Sequence, residues 1–76
     1  MRVYHNYKEV KRLKDKAKSN GYDRLFIVLN RTIPETHLFK GNIIEADEFD
    51  KATQTYVVYT GYGNLKLWKS MVKEVR

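Results

Sequence analysis

The residue types able to carry chemistry are sparse in this chain. There is no cysteine, which removes thiolate catalysis, disulfides and zinc-ribbon spacings and gives no reason for an oxidising compartment. Ser19 and Ser70 have no base at a motif spacing, so nucleophilic serine chemistry has no support. The two histidines, His5 and His37, lack a second ligand at metal spacing such as His-x-x-x-His. Asp47, Glu48 and Asp50, with Glu45 close by, lack the regular oxygen series and central glycine of a calcium loop and read as a solvated turn. What remains for catalysis is His37 as a general base on an RNA 2′-hydroxyl, with Lys40 or Arg31 stabilising the phosphate, as in a small ribonuclease or toxin. Nothing in the sequence orients that histidine, so no catalytic residue, metal or cofactor is assigned.

Charge says more. The chain has 76 residues, 15 of them Lys or Arg against nine acids, for a formal net charge of +6 and a pI near 9.7. Such a chain is drawn to nucleic acid, anionic lipid or an acidic protein. The longest apolar run, Leu25 to Leu29, is too short to span a bilayer, and MRVYHNYKEV lacks the apolar segment of a signal peptide. The expectation is a cytoplasmic protein with no membrane partner.

A chain of this length is expected to form one domain, residues 1–76, with a small core. Asn6 followed by Glu9 has the spacing of a helix start, Tyr7, Val10, Leu13 and Ala17 recur at helical intervals, and Gly21 ends the element. RLFIVLN (24–30) reads as a central strand, HLFKGNIIE (37–45) as a second strand with Gly41 at a bulge, and TQTYVVYT (53–60) as a third. Residues 46–52 read as a charged turn or a single helical turn, and residues 2–5 are open to an extra short edge strand. In GYGNLKLWKSMVKEVR, Leu65, Leu67, Trp68, Met71, Val72 and Val75 fall on one helical arc, with Asn64 as N-cap. The expected fold is α+β: a three-stranded antiparallel sheet with two helices on one face, in the order α-β-β-β-α. The alternative pairs residues 64–69 with 56–60 as strands, giving a small five-stranded barrel with an N-terminal helix.

On the two-helix reading, Lys8, Lys11, Arg12 and Lys16 on the first helix and Lys66, Lys69 and Lys73 on the second form one basic surface able to track phosphates. The α-β-β-β-α order, the Gly61-x-Gly63 turn before a lysine-bearing last helix, and Pro34 followed by His37 after the first strand are similar to the double-stranded-RNA-binding domain. That resemblance implies a duplex-RNA partner: Lys66 and Lys69 on phosphates across the major groove, His37 in one minor groove, and Lys8, Lys11 and Arg12 near the next.

The leading expectation is therefore a non-enzymatic nucleic-acid-binding domain of low sequence selectivity. The alternative is a small protein-binding inhibitor or regulator, of the kind found in phages and mobile elements, docking its basic face on an acidic partner surface. Tyr56 and Tyr59 fall on opposite faces of the third strand, so at most one lies in the core and the other is free to anchor a partner. Trp68, central in the apolar arc, is expected inside; an exposed Trp68 would move the binding site from the helices to itself.

Overall fold

A computed structural model describes all 76 residues, Met1–Arg76. The elements are α1 (Tyr7–Ser19), β1 (Leu25–Leu29), β2 (Ile43–Ala46), β3 (Glu48–Asp50), β4 (Thr55–Thr60), β5 (Gly63–Trp68) and β6 (Val72–Glu74), with 3-10 turns at Pro34–Thr36 and Lys69–Met71. Asn6 opens α1 because its Oδ1 accepts from the backbone N–H groups of Lys8 (3.0 Å) and Glu9 (3.2 Å), donors that a helix start otherwise leaves unpaired. Gly21, at φ 83°, lets the chain leave the helix in a left-handed conformation.

The strands form two antiparallel sheets, ordered β2-β1-β6 and β3-β4-β5. Period-two alternation in β1 gives both faces of the first sheet a role. Ile27 and Leu29 join Ile44, Ala46, Tyr56, Val58, Leu67 and Val72 in the main core, which fills the space between the sheets. Phe26 faces the other way and meets Tyr4, Val10, Ile43 and Val75 in a second, smaller cluster. That cluster fastens α1 to the outer face of the first sheet.

Asp47 alone separates β2 from β3, so one segment turns from the first sheet into the second. Its N–H donates to the Val57 carbonyl (2.9 Å) and its carboxylate accepts from the Tyr59 N–H (2.6 Å), filling the rung that the bend leaves open. The connection from β1 to β2 also enters the core. Ile33 and Leu38 bridge each other and are buried, and Gly41, at φ 93°, donates its N–H to the Leu29 carbonyl at 2.8 Å.

The largest departure from the sequence reading lies in residues 64–76. There is one helix, not two: the expected second helix is β5, a 3-10 turn and β6. Leu65 and Leu67 point inward by strand alternation, and the turn at Lys69–Met71 then shifts the phase so that Val72 reaches the main core and Val75 the smaller one. A strand, a phase shift and a second strand thus imitate a helical arc. Asn64 caps nothing; it pairs with Tyr59 across β4 and β5. The strand pairing of the barrel alternative is present, with Tyr56 opposite Leu67 and Val58 opposite Leu65. β5 and β6 remain free edges, so the sheets do not close into a barrel.

Smaller corrections follow the same logic. Of the strand expected over 37–45, only Ile43 onward joins the sheet, because residues 37–42 form the turn in which Leu38 bridges Ile33. The charged stretch 46–52 holds a short strand, β3, since Phe49 turns toward the core between Glu48 and Asp50. Residues 2–5 contribute a single bridge, Tyr4 to Ile43. No helix is long and apolar enough to cross a membrane.

Candidate nucleic-acid interface

The helix sorts its cations by position. With Val10 and Ala17 against the sheet, 100° per residue places Lys8 and Arg12 directly outward, Lys11 and Lys18 on one flank, and Lys16 beside Glu9 on the other. All five cations are exposed. Lys14 turns inward instead: its Nζ donates to the Arg24 carbonyl at 2.8 Å and lies 3.8 Å from the Asp23 carboxylate.

Two C-terminal residues join the Lys11 flank. Lys11 Nζ donates to the Arg76 backbone carbonyl at 2.6 Å, which brings the chain end against the helix. Lys73, opposite Val28 in the sheet, lines a groove of about 430 Å³ with Tyr7, Asn30, Lys40 and Gly41. The C-terminal segment therefore adjoins α1 through a strand rather than a second helix, Lys73 sharing its groove with Tyr7 and Arg76 touching Lys11. Lys66 and Lys69 do not take part. They lie on the outer face of the second sheet and in the following turn, across the main core from α1.

Several acids outside α1 are held by hydrogen bonds or ion pairs within the fold, whereas Glu9 and Asp15 on α1 stand exposed among its cations. Glu45 holds Arg24 through paired contacts of 3.0 and 2.8 Å, and this hydrogen-bonded carboxylate raises the guanidinium's already high pKa. Glu48 accepts from the Tyr59 hydroxyl at 2.9 Å, Asp50 from the Ala52 N–H at 2.9 Å, and Glu74 from the Tyr56 hydroxyl at 3.2 Å. Only Lys14 and Arg24 form ion pairs. The α1 face keeps an excess of positive charge, six cations against Glu9 and Asp15 on the same helix.

The remaining sequence-predicted residues fall separately. Tyr56 is 5% exposed and belongs to the main core, so it is no partner anchor; Tyr59 is 52% exposed on the outer face. Burial, with the Glu74 carboxylate beside it, raises the Tyr56 phenol above its ordinary 10.0. The folded chain then holds that proton more tightly than the unfolded chain. Its contribution to stability is complete below pH 10 and is lost as pH rises through the raised folded value. Urea midpoints measured above pH 10 are expected to fall further in the wild type than in Tyr56→Phe; equal alkaline losses in the two proteins would remove Tyr56 as a source.

His37 is exposed at φ 57° and lines a groove of about 550 Å³ with Glu35, Thr36, Tyr62 and Asn64. Neither Arg31 nor Lys40 lines that groove, so the phosphate-stabilising partners considered for a ribonuclease are not assembled around it. The last helix on which the double-stranded-RNA-binding resemblance relies is absent: Lys66 lies in β5 and Lys69 begins only a three-residue 3-10 turn.

The sequence reading assigns Arg76 no site role, sets Lys40 beside His37 rather than in the groove with Tyr7 and Lys73, and makes Trp68 a site only if exposed. Lys40 and Arg76 arrive through tertiary contact and carry no local signal. Trp68, expected inside, is 59% exposed because it alternates outward with Asn64 and Lys66 on β5. The period-two reading of NLKLW was its available signal. No protein-family model, curated protein or solved structure matches this chain.

Proposed function

We propose that this chain is a non-enzymatic nucleic-acid-binding domain that contacts phosphates through the basic face of α1 and the adjoining Lys73 groove. The supporting observation is the excess of exposed cations on α1: Lys8, Lys11, Arg12, Lys16 and Lys18 are exposed and form no ion pair, against only Glu9 and Asp15 on the same helix. Exposed cations of this kind displace condensed counterions from a phosphate backbone, which supplies affinity without sequence selectivity. Tyr7, half exposed in the groove with Lys40 and Lys73, offers a hydrogen-bonding hydroxyl beside two ammonium groups.

The test is fluorescence anisotropy of labelled duplex RNA, duplex DNA and single strands across a range of salt. On duplex DNA, log affinity is expected to fall linearly with log salt with a slope of about −3 to −5, corresponding to roughly three to six phosphates neutralised. Weak association with every nucleic acid at physiological salt would overturn the reading and favour an acidic protein as the partner of the same face.

A further inference from the structure

The second sheet has one face in the main core and one that no element covers. Phe49, Tyr56, Val58, Leu65 and Leu67 face inward, so alternation places Glu48, Asp50, Thr55, Val57, Tyr59, Asn64, Lys66 and Trp68 outward. The register sets them in rows: Asp50, Thr55 and Trp68 in one, Glu48, Val57 and Lys66 in the next, then Tyr59 and Asn64. Val57 and Thr55 are buried in the middle of this face, while Tyr59 and Trp68 stand out from it at opposite ends.

Each aromatic has polar company suited to a base. Trp68 borders a depression of about 380 Å³ that it shares with Gln54, Lys69 and Ser70, which bring an amide, an ammonium and a hydroxyl to the indole. Tyr59 lies directly opposite Asn64, and its hydroxyl donates to the Glu48 carboxylate at 2.9 Å, leaving the ring face to stack. Steps of about 7 Å along β5 place Lys66 between the two positions. Charge is divided across the face: Lys66 and Lys69 belong to β5 and the turn after it, Glu48 and Asp50 to β3.

We propose that this face is a stacking platform for unpaired bases of a single-stranded nucleic acid, with Trp68 and Tyr59 as base seats, Lys66 on the phosphates between them and Lys69 on the phosphate beyond Trp68. The inference rests on the nucleic-acid reading above and adds a second contact surface across the core from α1. The charge division orients the strand. Phosphates run along the β5 side, where the lysines attract them, and the carboxylates of Glu48 and Asp50 keep them off β3. Bases then lie inward over the sheet, and stacking on an indole or phenol face accepts any base. A duplex, whose bases are already stacked and paired, has nothing to offer these seats.

Trp68 is the only tryptophan, so indole emission reports this seat alone. The experiment titrates the whole chain with a single-stranded oligothymidylate of about 12 nucleotides and with an abasic phosphodiester of the same length, following both anisotropy and tryptophan emission. The oligothymidylate is expected to quench Trp68 saturably, and the abasic strand to bind without quenching. Trp68→Ala is expected to weaken the base-bearing strand by on the order of tenfold, with Trp68→Phe recovering most of the loss and the abasic affinity unchanged throughout. Single-strand binding with constant emission and no effect of Trp68→Ala would overturn the platform while leaving the phosphate reading intact. Failure of both strands and of duplex to bind would overturn the two together.

Discussion

Phe26→Ala is expected to lower the melting temperature by about 12–40 °C and to release α1 from the sheet. Phe26 is fully buried at the centre of the smaller core cluster, where Tyr4, Val10, Ile43 and Val75 meet. The Tyr4 ring meets it edge-on, with centroids 5.7 Å apart at 87°, and the Arg24 guanidinium lies 4.9 Å from its centroid. Removing such a ring costs about 3–5 kcal/mol, and a domain of this size changes its melting temperature by about 4–8 °C per kcal/mol. The total stability of a 76-residue chain is only about 4–11 kcal/mol. The variant therefore sits at or near the edge of folding.

The same substitution separates the two cores. The larger cluster lies between the sheets and does not include Phe26, so the loss falls first on the elements the smaller cluster holds: α1, the N-terminal bridge at Tyr4 and the last residues around Val75. Far-UV circular dichroism is expected to show helix loss before the strand signal changes. Tyr62→Ala serves as the control, because Tyr62 is fully exposed at the β4–β5 hairpin and its truncation should move stability by no more than about 0.5 kcal/mol. A Phe26→Ala protein that melts like the Tyr62→Ala protein would show that the helix is not held by this cluster.

What the sequence made legible was whatever rested on local chemistry. Asn6, Gly21 and the spacing of Val10 and Ala17 define α1, and LFIVL leaves little choice but a strand covered on at least one face. The last segment reads as a helix because two independent signals agree by coincidence. Leu65 and Leu67 obey a strand period, and the 3-10 turn then moves Val72 and Val75 to positions where a helix would also have placed apolar residues. Trp68 was the residue that distinguished the two readings. A helix buries it, whereas a strand running Asn64, Lys66, Trp68 exposes it.

The candidate interface divides in the same way. That Lys8, Lys11 and Arg12 share one side of a helix follows from their numbering alone. That Lys73 and Arg76 come to the Lys11 flank depends on how β6 pairs with β1, a long-range fact with no local trace. Tyr59 could be placed opposite Tyr56 in face, but which of the two turned inward was set by the bend at Asp47 and the packing of Phe49 against Tyr56, with ring centroids 4.8 Å apart.

Reversing the outward charge of α1, as Lys8→Glu, Lys11→Glu and Arg12→Glu together, is expected to weaken duplex binding by at least about 100-fold at physiological salt. Each phosphate contact of a cation contributes about fivefold at roughly 0.15 M salt through counterion release, so losing three costs on the order of 100-fold before repulsion by the new carboxylates is added. The slope of log affinity against log salt is expected to shrink by about 3 units. None of the three side chains is in an ion pair; only Lys11 makes an internal hydrogen bond, to the exposed Arg76 carbonyl. A carboxylate at position 8 lies in the first helical turn, where the backbone dipole favours negative charge, so the fold itself should survive with a melting temperature close to that of the wild type. Lys51→Glu changes one charge of the same kind on the loop before β4 and is expected to leave the slope nearly unchanged. A triple variant that retains wild-type affinity and slope would show that phosphates do not contact α1. A triple variant that loses duplex binding yet still quenches Trp68 with oligothymidylate would place duplex and single-strand contacts on separate faces, since α1 covers the first sheet and Trp68 stands on the second.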